Sequence, residues 1–255
     1  IGSLVPEFNS IQHAAIGTAL NSTGGVGTNP QGLFSGLLDE VRIWNVARSE
    51  ADIRANMNLE LTSGTGLLAR WGMNEGSGTS VGDSTSPAES GTITTVAAGS
   101  VTWVTGAPFD VAACTDSTTQ LRFDADSNGP DLVTFGTPLL CNGGTNGGAV
   151  CTAASECPGG ACNLPALGAS SFTVETRFNR QGTGTIQSTG TGGIANFIPL
   201  VTKGSGEGDG SNVDENYLLG INTTGNVVAV DFEEGPGGPG PLGQNHPLSG
   251  VTAIT

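Results

Sequence analysis

Residues 170–178, SSFTVETRF, alternate strictly: Phe172, Val174, Thr176 and Phe178 fall on one side of an extended chain and Glu175 on the other. A period of two marks a β-strand with one buried face. The pattern recurs in both directions. Residues 11–21 (IQHAAIGTALN) and 33–44 (LFSGLLDEVRIW) read as strands, as do 198–204 (IPLVTKG), 216–222 (NYLLGIN) and 226–234 (NVVAVDFEE). Only RSEADIRANMNLEL, 48–61, carries a helical repeat. There Ser49 is placed as an N-cap, Asp52 follows three residues on, and Ile53 and Met57 share a face, so one short helix is expected near 49–58. The separators 182–193 (GTGTIQSTGTGG) and 235–243 (GPGGPGPLG) hold no core and are surface loops. The reading is an all-β, antiparallel sandwich with decorated edges.

Composition agrees and narrows the partners. Glycine supplies 42 of 255 residues, which favours short strands and tight turns, and 36% hydrophobic content suffices for a core. Asp and Glu total 23 against 8 Lys and Arg, a formal charge of −15, and Lys203 is the one lysine. Phosphate binding needs basic side chains to displace condensed counterions, so nucleic acid and anionic membrane surfaces are excluded as expected partners. No run of 18 apolar residues is present, so no spanning helix is expected. The chain opens IGSLVPEFNS without an initiator Met, which points to a longer or processed precursor. Such an acidic excess repels itself unless its carboxylates gather around cations, and calcium is the usual ion for oxygen-rich sites.

Cys141, Cys151, Cys157 and Cys162 crowd into CNGGTNGGAVCTAASECPGGAC, with Cys114 alone upstream. Structural zinc sites pair cysteines in tight knuckles, and these spacings are wider. A segment so poor in apolar residues cannot pack itself, so the cysteines are read as disulfide candidates in an oxidising, extracellular compartment. The odd number leaves one thiol over, and the connectivity stays open.

Two acidic loops are candidate calcium sites. Asp124, Asp126, Asn128 and Asp131 put oxygens at alternate positions with Gly129 for the turn, the first half of a calcium loop, but position twelve is Phe135 rather than glutamate. In the second, Asp209, Asn212 and Asp214 lie among Glu207 and Glu215, and the strand that follows ends in Asp231, Glu233 and Glu234. Carboxylates at that density repel unless solvated, paired or metal-bound.

Several blocks together resemble the laminin G-like, or concanavalin A-like, jelly-roll family of secreted bacterial multidomain proteins. The blocks are Phe34, Gly36 and LLDEVRIWNVARSEADI; then Gly66 to Ser84 with Trp71, Asn74, Glu75, Gly76 and Asp83; then Leu121 to Phe135 and Phe172 to Phe178. In that family the first block closes a domain and the second opens one. The resemblance therefore implies that residues 1–65 are the C-terminal portion of one jelly roll. Residues 66–255 would be the N-terminal portion of the next, with a Cys-rich insertion at 141–162. It also makes Glu75 and Asp83 a third metal candidate, and an incomplete sandwich would offer strand edges to other copies of the chain or to neighbouring domains.

Catalytic motifs are lacking: no G-x-S-x-G, no H-E-x-x-H and no phosphate-cradling glycine loop. Glycoside hydrolysis needs two carboxylates across a cleft, and Glu175 and Glu233 are the pair the sequence offers, with Glu175 expected on the surface. Trp44, Trp71 and Trp103 read as core rather than as sugar platforms. The expectation is a non-enzymatic, secreted, calcium-stabilised adhesion or structural module, a filament unit joined by strand complementation. A carbohydrate-binding module of a secreted enzyme, recognising surface glycans, is the alternative.

Overall fold

The computed structural model describes residues 3–22, 24, 32–86, 88–95, 101–106, 119–125, 130–135, 139–146, 151, 153–165, 167–206 and 214–254. In chain order the elements are β1 (Ala14–Ile16), β2 (Gly36–Trp44), α1 (Glu50–Asn56), β3 (Leu67–Trp71), β4 (Ser80–Val81), β5 (Gly91–Thr95), β6 (Val101–Thr105), β7 (Thr119–Phe123) and β8 (Asp131–Thr134). They continue as β9 (Leu139–Asn142), β10 (Ala161–Pro165), β11 (Thr173–Arg180), β12 (Phe197–Lys203), β13 (Tyr217–Asn222), β14 (Val227–Asp231) and β15 (Leu248–Ala253).

Two antiparallel sheets form a sandwich. One has eight strands in the order β15-β14-β13-β12-β1-β8-β5-β4; the other has five, in the order β11-β2-β7-β6 with β3 also on β2. The alternation that decides the fold acts as expected. Leu38, Val41 and Ile43 of β2 meet Ile16, Leu200, Val201 and Ile221 of the opposite sheet in one core, and Trp71 is fully enclosed there. Trp44 is also buried and Trp103 half-buried, so all three tryptophans are packing residues.

The long first segment, 11–21, yields a strand of only three residues. Gly17 ends it at φ +86°, where a Cβ would lie 2.7 Å from the Phe123 ring, so only glycine fits. The single helix starts where expected, with Ser49 capping it by accepting the Asp52 N–H at 3.1 Å, and ends earlier than expected, at Asn56.

The two stretches assigned by sequence to successive domains interleave. β1 lies between β12 and β8, and β2 between β11 and β7, so residues 1–65 contribute an interior strand to each sheet built from 66–255. Within β2 the ladder carries a bulge: Glu175 faces Arg42 and Arg177 faces Asp39, with Glu40 at φ +50° in the extra position. The fully buried Glu40 carboxylate is held by Arg70, which also reaches Glu60 at 3.0 Å. Arg42 lies 3.4 Å from Glu175, and Arg48 pairs with the same carboxylate. Glu175, expected on the surface, is therefore mostly covered and ion-paired, because two guanidinium groups from the adjoining strand and loop reach it.

Cys141–Cys157 and Cys151–Cys162 are disulfides, as the composition of the insertion required. They tie β9 and β10 into a two-stranded sheet of their own, with overlapping closed loops worth roughly 3 kcal/mol each. Cys114 lies outside the described residues.

Because β1 joins both halves, Ile16→Ala is expected to cost about 2–5 kcal/mol. In urea, the fluorescence transition dominated by Trp44 should coincide with that of Trp71, which single-tryptophan variants would separate if 1–65 unfolded on its own.

Candidate functional site

Six carboxylates are buried together at one end of the eight-stranded sheet: Glu7, Asp214, Glu215, Asp231, Glu233 and Glu234. The placement follows from the strands. β14 delivers Asp231 and runs on to Glu233 and Glu234, while the lead-in to β13 carries Asp214 and Glu215 beside them; Glu233 N–H donates to Glu215 O at 3.2 Å. The N-terminal segment closes over this end, with Glu7 N–H donating to Glu233 O at 2.9 Å.

Most of these acids are held by donors. The Glu233 Oε2 accepts the N–H groups of Asp214 (3.0 Å) and Glu215 (3.1 Å). Asp231 accepts Thr189 Oγ1 at 2.5 Å on one oxygen and the N–H groups of Phe232 and His246, each at 2.9 Å, on the other. Glu234 accepts Val5 N–H at 2.9 Å and contacts His246 Nε2 at 2.7 Å.

Others are not satisfied. Glu215, fully enclosed, accepts Asn245 Nδ2 at 2.9 Å on Oε1, but among the described residues its Oε2 has no hydrogen-bond partner. The Oδ1 of Asn245 and both carboxylate oxygens of Glu7 are likewise unmatched. A buried polar atom without a partner costs about 1–3 kcal/mol, and more if charged. Burial pushes the Glu7 carboxyl up to about 7, with Asp214 adding to the rise. Burial also raises Glu215 well above the usual carboxylate range, reinforced by Asp231 and Glu233, and raises Asp231.

The nearest ammonium does not neutralise them. Lys203, fully buried, donates to the carbonyls of Ser10 (3.1 Å) and Gln12 rather than to a carboxylate, and burial lowers it to about 7. Its link to the acids is indirect, through Gln12 Nε2, which donates to Asp214 Oδ1 at 2.9 Å.

Asp214 and Asp231 are thus the sequence candidates brought together; Asp209 and Asn212 lie outside the described residues. Asp126 and Asn128 lie outside them too, while Asp124 is exposed and Asp131 is buried in β8. Asp83 organises a loop: its oxygens accept the N–H groups of Arg70, Thr85 and Glu89 at 2.8–3.0 Å, and Glu75 accepts that of Gly82 at 2.7 Å. Glu175 and Glu233, the pair considered for hydrolysis, belong to different layers.

Sequence reasoning passed over Glu7 and Thr189, which reach the cluster from far away in the chain, and Asn245, which returns to it from the loop after β14. The chain matches no protein-family model, no curated protein and no solved structure. Among the described residues no helix is long and apolar enough to cross a membrane.

Chemically, the cluster is an oxygen-lined, cation-poor nest. No three of its carboxylates bring one oxygen each within 4.8 Å of one another; the one such group among the described residues is Cys141, Cys151 and Cys157, whose sulfurs are spent in disulfides. An ion here would draw on one or two carboxylates completed by neutral oxygens, such as Asn245 Oδ1, which lacks a donor.

The pH response follows in sign. Glu7 and Glu215 bind protons more tightly folded than unfolded, so the stability they contribute is complete below about 4.5; that of Glu7 is lost as pH rises through about 7, and that of Glu215 as pH rises through its own raised value. Lys203 acts oppositely: its contribution is present above about 10.5 and lost as pH falls through about 7. In chelator, thermal melts should therefore show the midpoint falling between pH 4.5 and 7, and Glu215→Gln should flatten that fall.

Proposed function

We propose that this chain is a calcium-stabilised adhesion or structural module of an exported protein. The observation that carries the reading is the unmatched Glu215 Oε2 and the unmatched Asn245 Oδ1, on two side chains that hydrogen-bond each other inside a nest of six buried carboxylates. Glu215, Asn245 and Asp231 would hold the ion. Its charge would offset their mutual repulsion and tie the N-terminal segment, β13 and β14 together at one end of the sandwich. The two disulfides suit an oxidising compartment. The ordered likeness of the sequence blocks to laminin G-like jelly rolls supports the same setting.

The mode of assembly changes from the sequence expectation. Since β1 and β2 complete their own molecule, a neighbour does not need this tail. Contact with further copies or neighbouring domains falls to the sheet edges, above all β15, which is exposed along its whole length with Val251 99% accessible.

Titration of calcium into the chelated protein tests the ion. At a hundredfold excess over Kd, binding adds about 2.7 kcal/mol, roughly 5–10 °C in the melting midpoint of a domain this size. Glu215→Gln removes a buried carboxyl whose ionisation burial opposes, so above about pH 4.5 it should raise the midpoint of the ion-free protein while abolishing the calcium increment. A wild-type midpoint that stays fixed in millimolar calcium, with no heat of binding, refutes the reading.

A further inference from the structure

β11 is the last strand of the five-stranded sheet, on the side where β13, β14 and β15 carry the other sheet onward. Between them lies a cleft of about 1310 Å³ lined by every residue from Val174 to Arg180, so it follows the edge of β11 that no described strand pairs with and shows both faces of that strand. Toward the opposite sheet its wall is apolar, formed by Val174, Phe178, Leu219, Val228 and Ile254, with Val228 39% exposed. On the outer side the wall is α1, with Ile53 and Met57 at the mouth.

The charge of this cleft is opposite to that of the molecule. Arg42, Arg48, Arg54, Arg177 and Arg180, five of the seven arginines in a chain of net charge −15, line it against three glutamates, Glu40, Glu50 and Glu175. Arg54, in its exposed pair with Glu50, bonds through Nε and leaves its other donors over, while Arg180 reaches Asn226, Gly182 and Thr183 and Arg177 is engaged at the Met57 carbonyl. Each guanidinium has five N–H groups.

We propose that this cleft receives an extended strand of a partner protein in which apolar and acidic side chains alternate, adding to the free edge of β11. The edge calls for a backbone, since main-chain donors and acceptors recur along it at the spacing only another strand supplies. The two walls call for the alternation. One set of side chains faces Leu219 and Val228 across the sandwich, and the other faces the arginines beside α1. Eight residues of β11 give a footprint about 26 Å long. The site does not depend on the cation, because β11 and the carboxylate nest lie on different sheets.

Fluorescence anisotropy with a labelled decapeptide of alternating valine and glutamate, and with its valine–lysine counterpart, tests this at about 0.15 M salt. The acidic peptide is expected to bind saturably and the basic one at least roughly tenfold more weakly. Arg54→Glu and Val228→Glu, both at exposed positions, should each weaken the acidic peptide about threefold to tenfold while leaving the far-ultraviolet spectrum and melting midpoint unchanged. Equal binding of the two peptides, binding of neither, or indifference to both substitutions overturns the proposal. So does self-association of the chain that Val228→Glu abolishes, which would make a second copy the occupant. Binding of polyglucuronate but not of the acidic peptide overturns it in favour of a glycan.

Discussion

Strand β2 is bonded along both edges for almost its whole length, and the architecture is arranged around that fact. β11 takes one edge; the other is divided between β7 at its start and β3 at its end. Its inward side chains fill the core while Glu40 and Arg42, displaced by the bulge, turn to the ionic network beneath α1. A buried carboxylate with a left-handed backbone is tolerable because Arg70 bonds it and Arg42 lies 3.7 Å away; removing the Arg70 guanidinium would leave Glu40 poorly compensated, at a cost of about 3–5 kcal/mol. The strand thus couples apolar packing on one face to charge pairing on the other, and neither face is dispensable.

The acid surplus is handled in two ways. Near β2, β3 and β11, where six of the seven arginines act as donors or ion-pair partners, the carboxylates of Glu40, Glu60 and Glu175 each have a guanidinium within reach. At the far end of the eight-stranded sheet no arginine is available, and backbone N–H groups, Thr189 and Asn245 substitute for it. Hydrogen bonds to neutral donors hold the geometry without removing the charge, which is why Glu7, Glu215 and Asp231 are all pushed upward there.

The legible part of the sequence was whatever is encoded locally. Alternation in Phe172 to Phe178 and in β2 identified strands and their buried faces, the Ser49 cap located the helix, and the Cys141–Cys162 cluster was correctly read as cross-linked. The fate of Glu175 was not legible, because its burial depends on Arg42 and Arg48 arriving from strand and loop more than 120 residues away. The nest was half visible. Asp214 and Asp231 stand in an acidic run that draws the eye, but Glu7 and Asn245 join them only through tertiary closure, and neither carries a motif. Residues 1–65 illustrate the same limit. Family likeness suggested two bodies, while pairing partners, which no local pattern specifies, wove them into one.

The cross-linked hairpin of β9 and β10 stands apart from both sheets. Among the described residues its strands pair only with each other, and its enclosed atoms are sulfurs and Leu139 rather than members of the main core. Its cohesion is covalent and private, so its length and composition are free to drift, or the whole appendage to be swapped for another, without asking anything of the layers it hangs from. It is the place on this scaffold where variation is cheapest.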